Sequence, residues 1–119
     1  MHWKDLEVWQ KAHAMVLEAY RLTACFPDAE KFRLTSQLCK AAVSVPANIV
    51  EGNARRSTKE YVQFLYMARG SLEETRYYVL LAKDLGYLKT AQFDQLESRG
   101  ESVSRMINAL LRALSKRNQ

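Results

Sequence analysis

Val43 to Glu60 reads VSVPANIVEGNARRSTKE. Before the proline the apolar positions Leu38, Ala42 and Val45 fall at helical spacing, and Ile49 continues them beyond it. The pattern predicts one helix that runs into Pro46 and out again. An interior proline removes a backbone donor and crowds the carbonyl four residues earlier, here that of Ala42. At an exposed site this costs about 3 kcal/mol. The site is therefore expected to be packed, with the helix bent at Pro46. Ala41, Ala42, Ser44 and Ala47 are small enough to let a second helix approach the kink. Asn48 and Glu51 lie one turn apart, and Glu51 precedes Arg55 by four residues, the spacing of a helical ion pair. Gly52 allows close approach or an early end. Ser57-Thr58-Lys59-Glu60 is a capping box, with Ser57 as N-cap and Glu60 at the third helical position. Arg55 and Arg56 are thus placed at an exposed helix–helix corner. Such a corner suits a phosphate or an acidic partner; the plainer reading is a structural kink whose arginines are merely solvated.

The rest of the chain packs around this helix. Its 119 residues fit one domain, and a hydrophobic content of 48% is enough for a core. Four glycines and two prolines favour long helices with short loops. A first helix is expected from Asp5, as N-cap, to about Ala24. Leu6, Trp9, Ala12/His13, Val16 and Tyr20 form one stripe, and Val8, Met15, Ala19 and Leu22 an adjoining one. This double width suggests burial both inside the bundle and against another subunit. Phe26-Pro27 ends the helix, and Asp28 to Arg33 is a polar connection with room for one helical turn. The second helix, capped by Thr35 or Ser36, continues to about Ala54. The third runs from Thr58 to about Leu85. Its inner face is Tyr61, Leu65, Ala68, Leu72 and Val79, flanked by Phe64, Met67, Ser71, Tyr78 and Leu81. Gly70-Ser71 forms a small-residue notch, and Gly86 takes the left-handed C-cap position. Thr90 caps a fourth helix with Phe93, Leu96, Gly100, Val103, Ile107, Leu110 and Leu114 spaced as the seam of an antiparallel bundle. Gly100 in that seam calls for something bulky opposite. Ser115 to Gln119 should fray.

The formal charge is +5, unevenly placed. Between Lys31 and Lys59 six cations (Lys31, Arg33, Lys40, Arg55, Arg56, Lys59) face a single anion, Glu51, and Arg105, Arg112, Lys116 and Arg117 follow Glu101 without an acid. A zone of this kind suits nucleic acid or an acidic partner. The charged N-terminus lacks the apolar run of a secretory signal, and no stretch approaches the ~20 apolar residues of a membrane span. A cytoplasmic protein without membrane association, and with Cys25 and Cys39 reduced, is expected.

The residues show no catalytic constellation. His2 and His13 are isolated and no metal role is assigned to them. HExxH, CxxC, GxSxG and P-loop patterns do not occur. Glu73 and Glu74 are adjacent on a helix and point to different sides, so they are no acid–base pair. A di-iron bundle would need ExxH motifs, and none occurs. Tyr61, Tyr66, Tyr77, Tyr78 and Tyr87 could stack on bases, but at helical spacing they read first as core or interface. No enzyme and no cofactor is expected.

Five blocks carry a resemblance: DLEVWQKAH (Asp5 to His13), LTSQL (Leu34 to Leu38), AAVSVPANIVEG (Ala41 to Gly52), RRS (Arg55 to Ser57) and LLAKDLGYL (Leu80 to Leu88). In these the chain resembles the four-helix-bundle family encoded in 23S ribosomal RNA intervening sequences. The resemblance covers nearly the whole chain and is strongest from Asp5 to Leu88; the fourth helix matches in pattern only. It implies an all-α, up-down antiparallel four-helix bundle assembled as a homopentamer around a central channel, with a basic surface. A related protein, the accessory variability determinant of diversity-generating retroelements, is a similar basic pentamer that binds nucleic acid and assists a reverse transcriptase. Two functions are thereby expected as alternatives. One is RNA association, with phosphates contacted through Arg55, Arg56, Lys59 and Lys40. The other is a structural adaptor for a protein client such as a reverse transcriptase.

Overall fold

The computed structural model describes residues 1–117. Four helices account for most of them: α1 (Glu7–Thr23), α2 (Leu34–Asn53), α3 (Thr58–Asp84) and α4 (Thr90–Arg117). They touch in a ring, α1 to α2 to α3 to α4 and back to α1, with α2 and α3 the most extensively packed pair. The result is a rod of 48 × 24 × 21 Å. Successive helices run in opposite directions, so one end collects the start of α1, the α2–α3 corner and the end of α4.

The helix boundaries follow local chemistry. Asp5 does not cap α1. Trp3–Asp5 form a separate 3₁₀ turn in which His2 Nδ1 accepts from the Lys4 amide at 3.1 Å. Leu6 is extended and Gln10 donates the first helical bond to its carbonyl. The chain is drawn back because Trp3 packs edge-on against Trp9, whose other neighbour is the stacked imidazole of His13. A second 3₁₀ turn, Asp28–Glu30, occupies the first connection. Neither Thr35 nor Ser36 caps α2: the helix starts one residue earlier, at Leu34, whose amide donates to Glu30 Oε1 at 3.4 Å. The Ser57 cap is as expected, its hydroxyl accepting from the Glu60 amide at 3.1 Å and donating to the Glu60 carboxylate at 3.2 Å. α3 closes with a Schellman motif: Gly86 at φ 84° donates to Lys83 and Tyr87 donates to Ala82, each at 2.9 Å. Thr90 is the first residue of α4 rather than its cap; Lys89 caps, its amide donating to Gln92 Oε1 at 2.9 Å. Ser115 to Arg117 remain helical, and the rest of the expected fraying, Asn118 and Gln119, lies outside the described residues.

α2 is helical on both sides of Pro46, which is buried. Asn48 Nδ2 donates to the Ser44 carbonyl at 2.8 Å and the Ser44 hydroxyl at 2.9 Å, within the turn that holds the proline. The Ser71 hydroxyl donates to Ser44 Oγ at 2.9 Å, tying that turn to α3. Ala42 is fully buried, whereas Ala47 faces solvent. Gly52 packs directly against α3. A methyl group there would lie 2.8 Å from Phe64 Cβ. The expected Gly70-Ser71 notch is only half used: Ser71 makes the bond to Ser44, while Gly70 is exposed with nothing within 4 Å of a built Cβ.

Two apolar clusters fill the rod. Met15, Ile49, Leu65, Leu72 and Ile107 centre the one nearer the corner, and Phe26, Leu38, Val79, Leu88 and Leu96 the other. Burying each such side chain is worth about 1.5–3 kcal/mol. Along α4 the buried seam passes through Leu111 rather than Leu110. The bulky group opposite Gly100 is the stem of Arg76, with Cγ 3.3 Å from a built Cβ and its guanidinium on Glu97 and Glu73. On α3, Met67 is exposed, while Thr75 and Ala82 belong to the core. On α1, Tyr20 and His13 face solvent, and Glu18, outside the expected stripes, is buried. Glu18 Oε2 accepts from Arg99 of α4, and its Oε1 is buried with no hydrogen-bond partner among the described residues.

At the end away from the corner, Tyr87 donates to Glu30 Oε2 at 2.7 Å. That bond chiefly holds the Glu30 carboxyl below its ordinary value and the Tyr87 phenol above its own. Cys25 and Cys39 are free thiols.

Candidate nucleic-acid interface

The corner between α2 and α3 is four residues long, Ala54 to Ser57. Arg55 is engaged there. It donates to Glu51 at 2.5 Å, lies 3.8 Å from Glu60 and sits over the Phe64 ring at 4.7 Å. It therefore clamps the last turn of α2 to the first turn of α3, with Glu51 as its close partner and Glu60, which also accepts from Ser57, further off. Arg56 and Lys59 are exposed and form no ion pair among the described residues. Lys40 is exposed too, but thirteen residues before the end of α2 it stands roughly 20 Å up the axis. The structure brings Arg55, Arg56 and Lys59 together and leaves Lys40 apart. Lys31 and Arg33 lie at the opposite end, so the basic segment from Lys31 to Lys59 divides between the two poles.

Topology adds other cations to the corner pole. Lys4 precedes α1 there, and Arg112 and Lys116 lie in the last turns of α4; all three are exposed. About two to three turns along α3 from the corner, α3 and α4 form a groove of about 330 Å³ lined by Tyr66, Arg69, Asn108, Leu111, Arg112 and Ser115. Arg69 lies over the Tyr66 ring at 4.8 Å and donates to Asn108 Oδ1 at 3.1 Å. Sequence reasoning missed this convergence. The acid-free run after Glu101 and the antiparallel seam were both visible, but joining Arg69 to Arg112 requires the register of α3 against α4.

Among the described residues no three His, Cys, Asp or Glu side chains are placed to hold a metal ion. No described helix is long and apolar enough to cross a membrane. The arrangement places exposed cations on a helical support.

The fold defines an antiparallel four-helix bundle. The chain belongs to the 23S rRNA-intervening sequence protein family, whose model matches residues 4–109. Among solved structures it is similar to a protein of unknown function from the S23 ribosomal protein family of Bacteroides thetaiotaomicron, with a TM-score of 0.82 at 19% identity, covering 87% of this chain and 97% of that one. At that identity the likeness concerns the fold. A comparison with curated proteins returns no match.

Proposed function

We propose that the chain is a non-enzymatic, homo-oligomeric RNA-associated protein that contacts phosphates through its corner pole. The observation that carries this reading is the gathering of Arg56, Lys59, Lys4, Arg112 and Lys116 at one end of the rod, where Asp5 and Glu7 also lie, while Glu51 pairs with Arg55 and Glu60 stands 3.8 Å from it. Arg55 then acts as a clamp that presents Arg56, and Lys40 belongs to the flank. Oligomerisation is supported by large apolar side chains left in solvent, Leu17 and Tyr20 on α1 and Met67 and Tyr77 on α3, each more than half exposed. A ring, a pentamer by the family resemblance, would repeat the weak pole of one subunit and make it multivalent.

Filter binding with a structured RNA at several salt concentrations tests the reading. Affinity is expected to fall linearly on log–log axes, by about 0.7–0.9 per phosphate neutralised. Arg56→Gln with Lys59→Gln should shrink that slope and leave helicity and assembly unchanged. Absence of binding at low salt, or an unchanged slope in the double variant, removes the reading. Light scattering checks assembly, and a monomer near 13.7 kDa refutes it. The adaptor reading draws on the exposed Tyr77 and Leu80 of α3 and Leu85 just after it, an apolar surface fit for a protein client such as a reverse transcriptase.

A further inference from the structure

We infer that the α3–α4 groove is a subsite for one nucleotide of unpaired RNA, the base stacking on the Tyr66–Arg69 pair and the phosphate held between Arg69 and Arg112. This rests on the RNA reading and adds a chemically different subsite, which shares Arg112 with the corner pole.

The first argument is charge. Arg69 and Arg112 come from different helices and line the same groove, yet no carboxylate lines it. Neither guanidinium has an acidic partner among the described residues, whereas Arg33, Arg55, Arg76, Arg99 and Arg105 each have one. Two like charges brought together without a counter-charge repel each other, and an anion between them removes that cost. Arginine's planar fork suits phosphate, which it can bind bidentately.

The second argument is preorganisation. Arg69 is fixed at two points, over the Tyr66 ring and on Asn108 Oδ1. These contacts restrict its rotamers before any ligand arrives, which lowers the entropy lost on binding. Tyr66 is 51% exposed on the outer face of α3. A tyrosine–guanidinium stack open to water is a platform on which any base can lie. The groove, about 330 Å³, is open to solvent, the shape of a surface platform rather than an enclosed pocket. Asn108 and Ser115 add polar groups along the wall. An acidic peptide would satisfy the two cations but would leave the aromatic platform unused, so the chemistry favours a nucleotide.

The test is fluorescence anisotropy with a labelled twelve-nucleotide oligo-U and a labelled hairpin duplex of equal charge, on the intact protein. Tyr66→Ala should weaken oligo-U binding about tenfold, while Tyr66→Phe, which keeps the ring, should bind like wild type. Duplex binding should not respond to Tyr66→Ala, because paired bases cannot reach the stack. Arg112→Gln should reduce the oligo-U salt slope by about 0.7. Circular dichroism and light scattering confirm that each variant is folded and assembled. If oligo-U binds but Tyr66→Ala has no effect, or lowers duplex binding equally, the groove is not the subsite although the RNA reading stands. If polyglutamate displaces oligo-U from wild type and Tyr66→Ala alike, the groove takes acidic protein instead. If neither RNA binds at low salt, both readings fall together.

Discussion

Replacing Gly52 by alanine sets a methyl carbon 2.8 Å from Phe64 Cβ, 3.0 Å from Tyr61 Cδ1 and 3.3 Å from the Tyr61 carbonyl oxygen. Phe64 Cβ is one bond from the α3 backbone, so no rotamer change relieves the clash and the two helices must part. Overpacking of this kind costs about 1–3 kcal/mol, against a helix-propensity gain of at most about 1 kcal/mol that is reduced near the end of α2. The expected net loss is about 1–2 kcal/mol, a fall in Tm of about 4–8 °C at this chain length. The same substitution at Gly70 meets nothing within 4 Å and is exposed, so it should gain about 0.5–1 kcal/mol. At Gly100 the nearest atom, Arg76 Cγ at 3.3 Å, belongs to a flexible stem, and the effect should be near zero. Thermal melts of all three variants, each at several protein concentrations, separate the intrinsic term from assembly. Gly52→Ala melting at or above wild type would refute the close-approach argument. A loss at Gly70 would mean that another surface covers it in solution.

Pro46→Ala should keep the chain helical while weakening assembly, read by light scattering, since alanine's helix gain of about 3 kcal/mol confounds the melt; a variant that assembles and melts like wild type removes the organising role given to the proline. Arg99→Met should cost about 2–3 kcal/mol in urea denaturation, because it leaves Glu18 buried and unpaired, and Glu18→Gln with Arg99→Met should recover part of it; an Arg99→Met variant as stable as wild type would refute a structural role for the pair. Tyr87→Phe should flatten the stability–pH profile at both ends. The lowered Glu30 contributes stability above its ordinary value of 4.5 that is lost as pH falls through the folded value, and the raised Tyr87 contributes stability that is lost only as alkaline pH passes its folded value. An unchanged acid limb, followed by circular dichroism, would refute the Glu30–Tyr87 assignment.

The helices were legible because their signals are local. Ser57 with Glu60, the left-handed Gly86 and the three-and-four spacing of Leu96, Gly100, Val103 and Ile107 each report within one or two turns. Three expected caps failed where a neighbour competed: aromatic packing of Trp3 on Trp9 displaced Asp5, the Glu30 carboxylate reached Leu34 before Thr35 could act, and Gln92 closed on Lys89. Glu18 could not be placed by pattern, since a carboxylate in an apolar face is tolerated only because Arg99 arrives from a helix more than eighty residues away. The site was legible in the same measure. Arg55, Arg56 and Lys59 are close in sequence, and the structure keeps them on one corner. Lys40 was grouped with it by sequence proximity, although one charge on a long helix lies far from another. The Tyr66–Arg69–Arg112 groove depends on how two antiparallel helices register, which no single segment encodes.

The intimacy of α2 and α3 bears on the order in which the chain acquires its structure. A four-residue turn joins them, so their contacts are local and cheap in loop-closure entropy. The α1–α4 interface instead links the two ends of the chain. Substitutions at Gly52 or Ser44 should therefore slow folding, whereas those at Glu18 or Arg99 should mainly speed unfolding, a division that φ-values measure. During synthesis Arg55 and Arg56 would be displayed on a formed hairpin while α4 is still in the ribosomal tunnel, and the Glu18 carboxylate would stay in water until the last helix emerges.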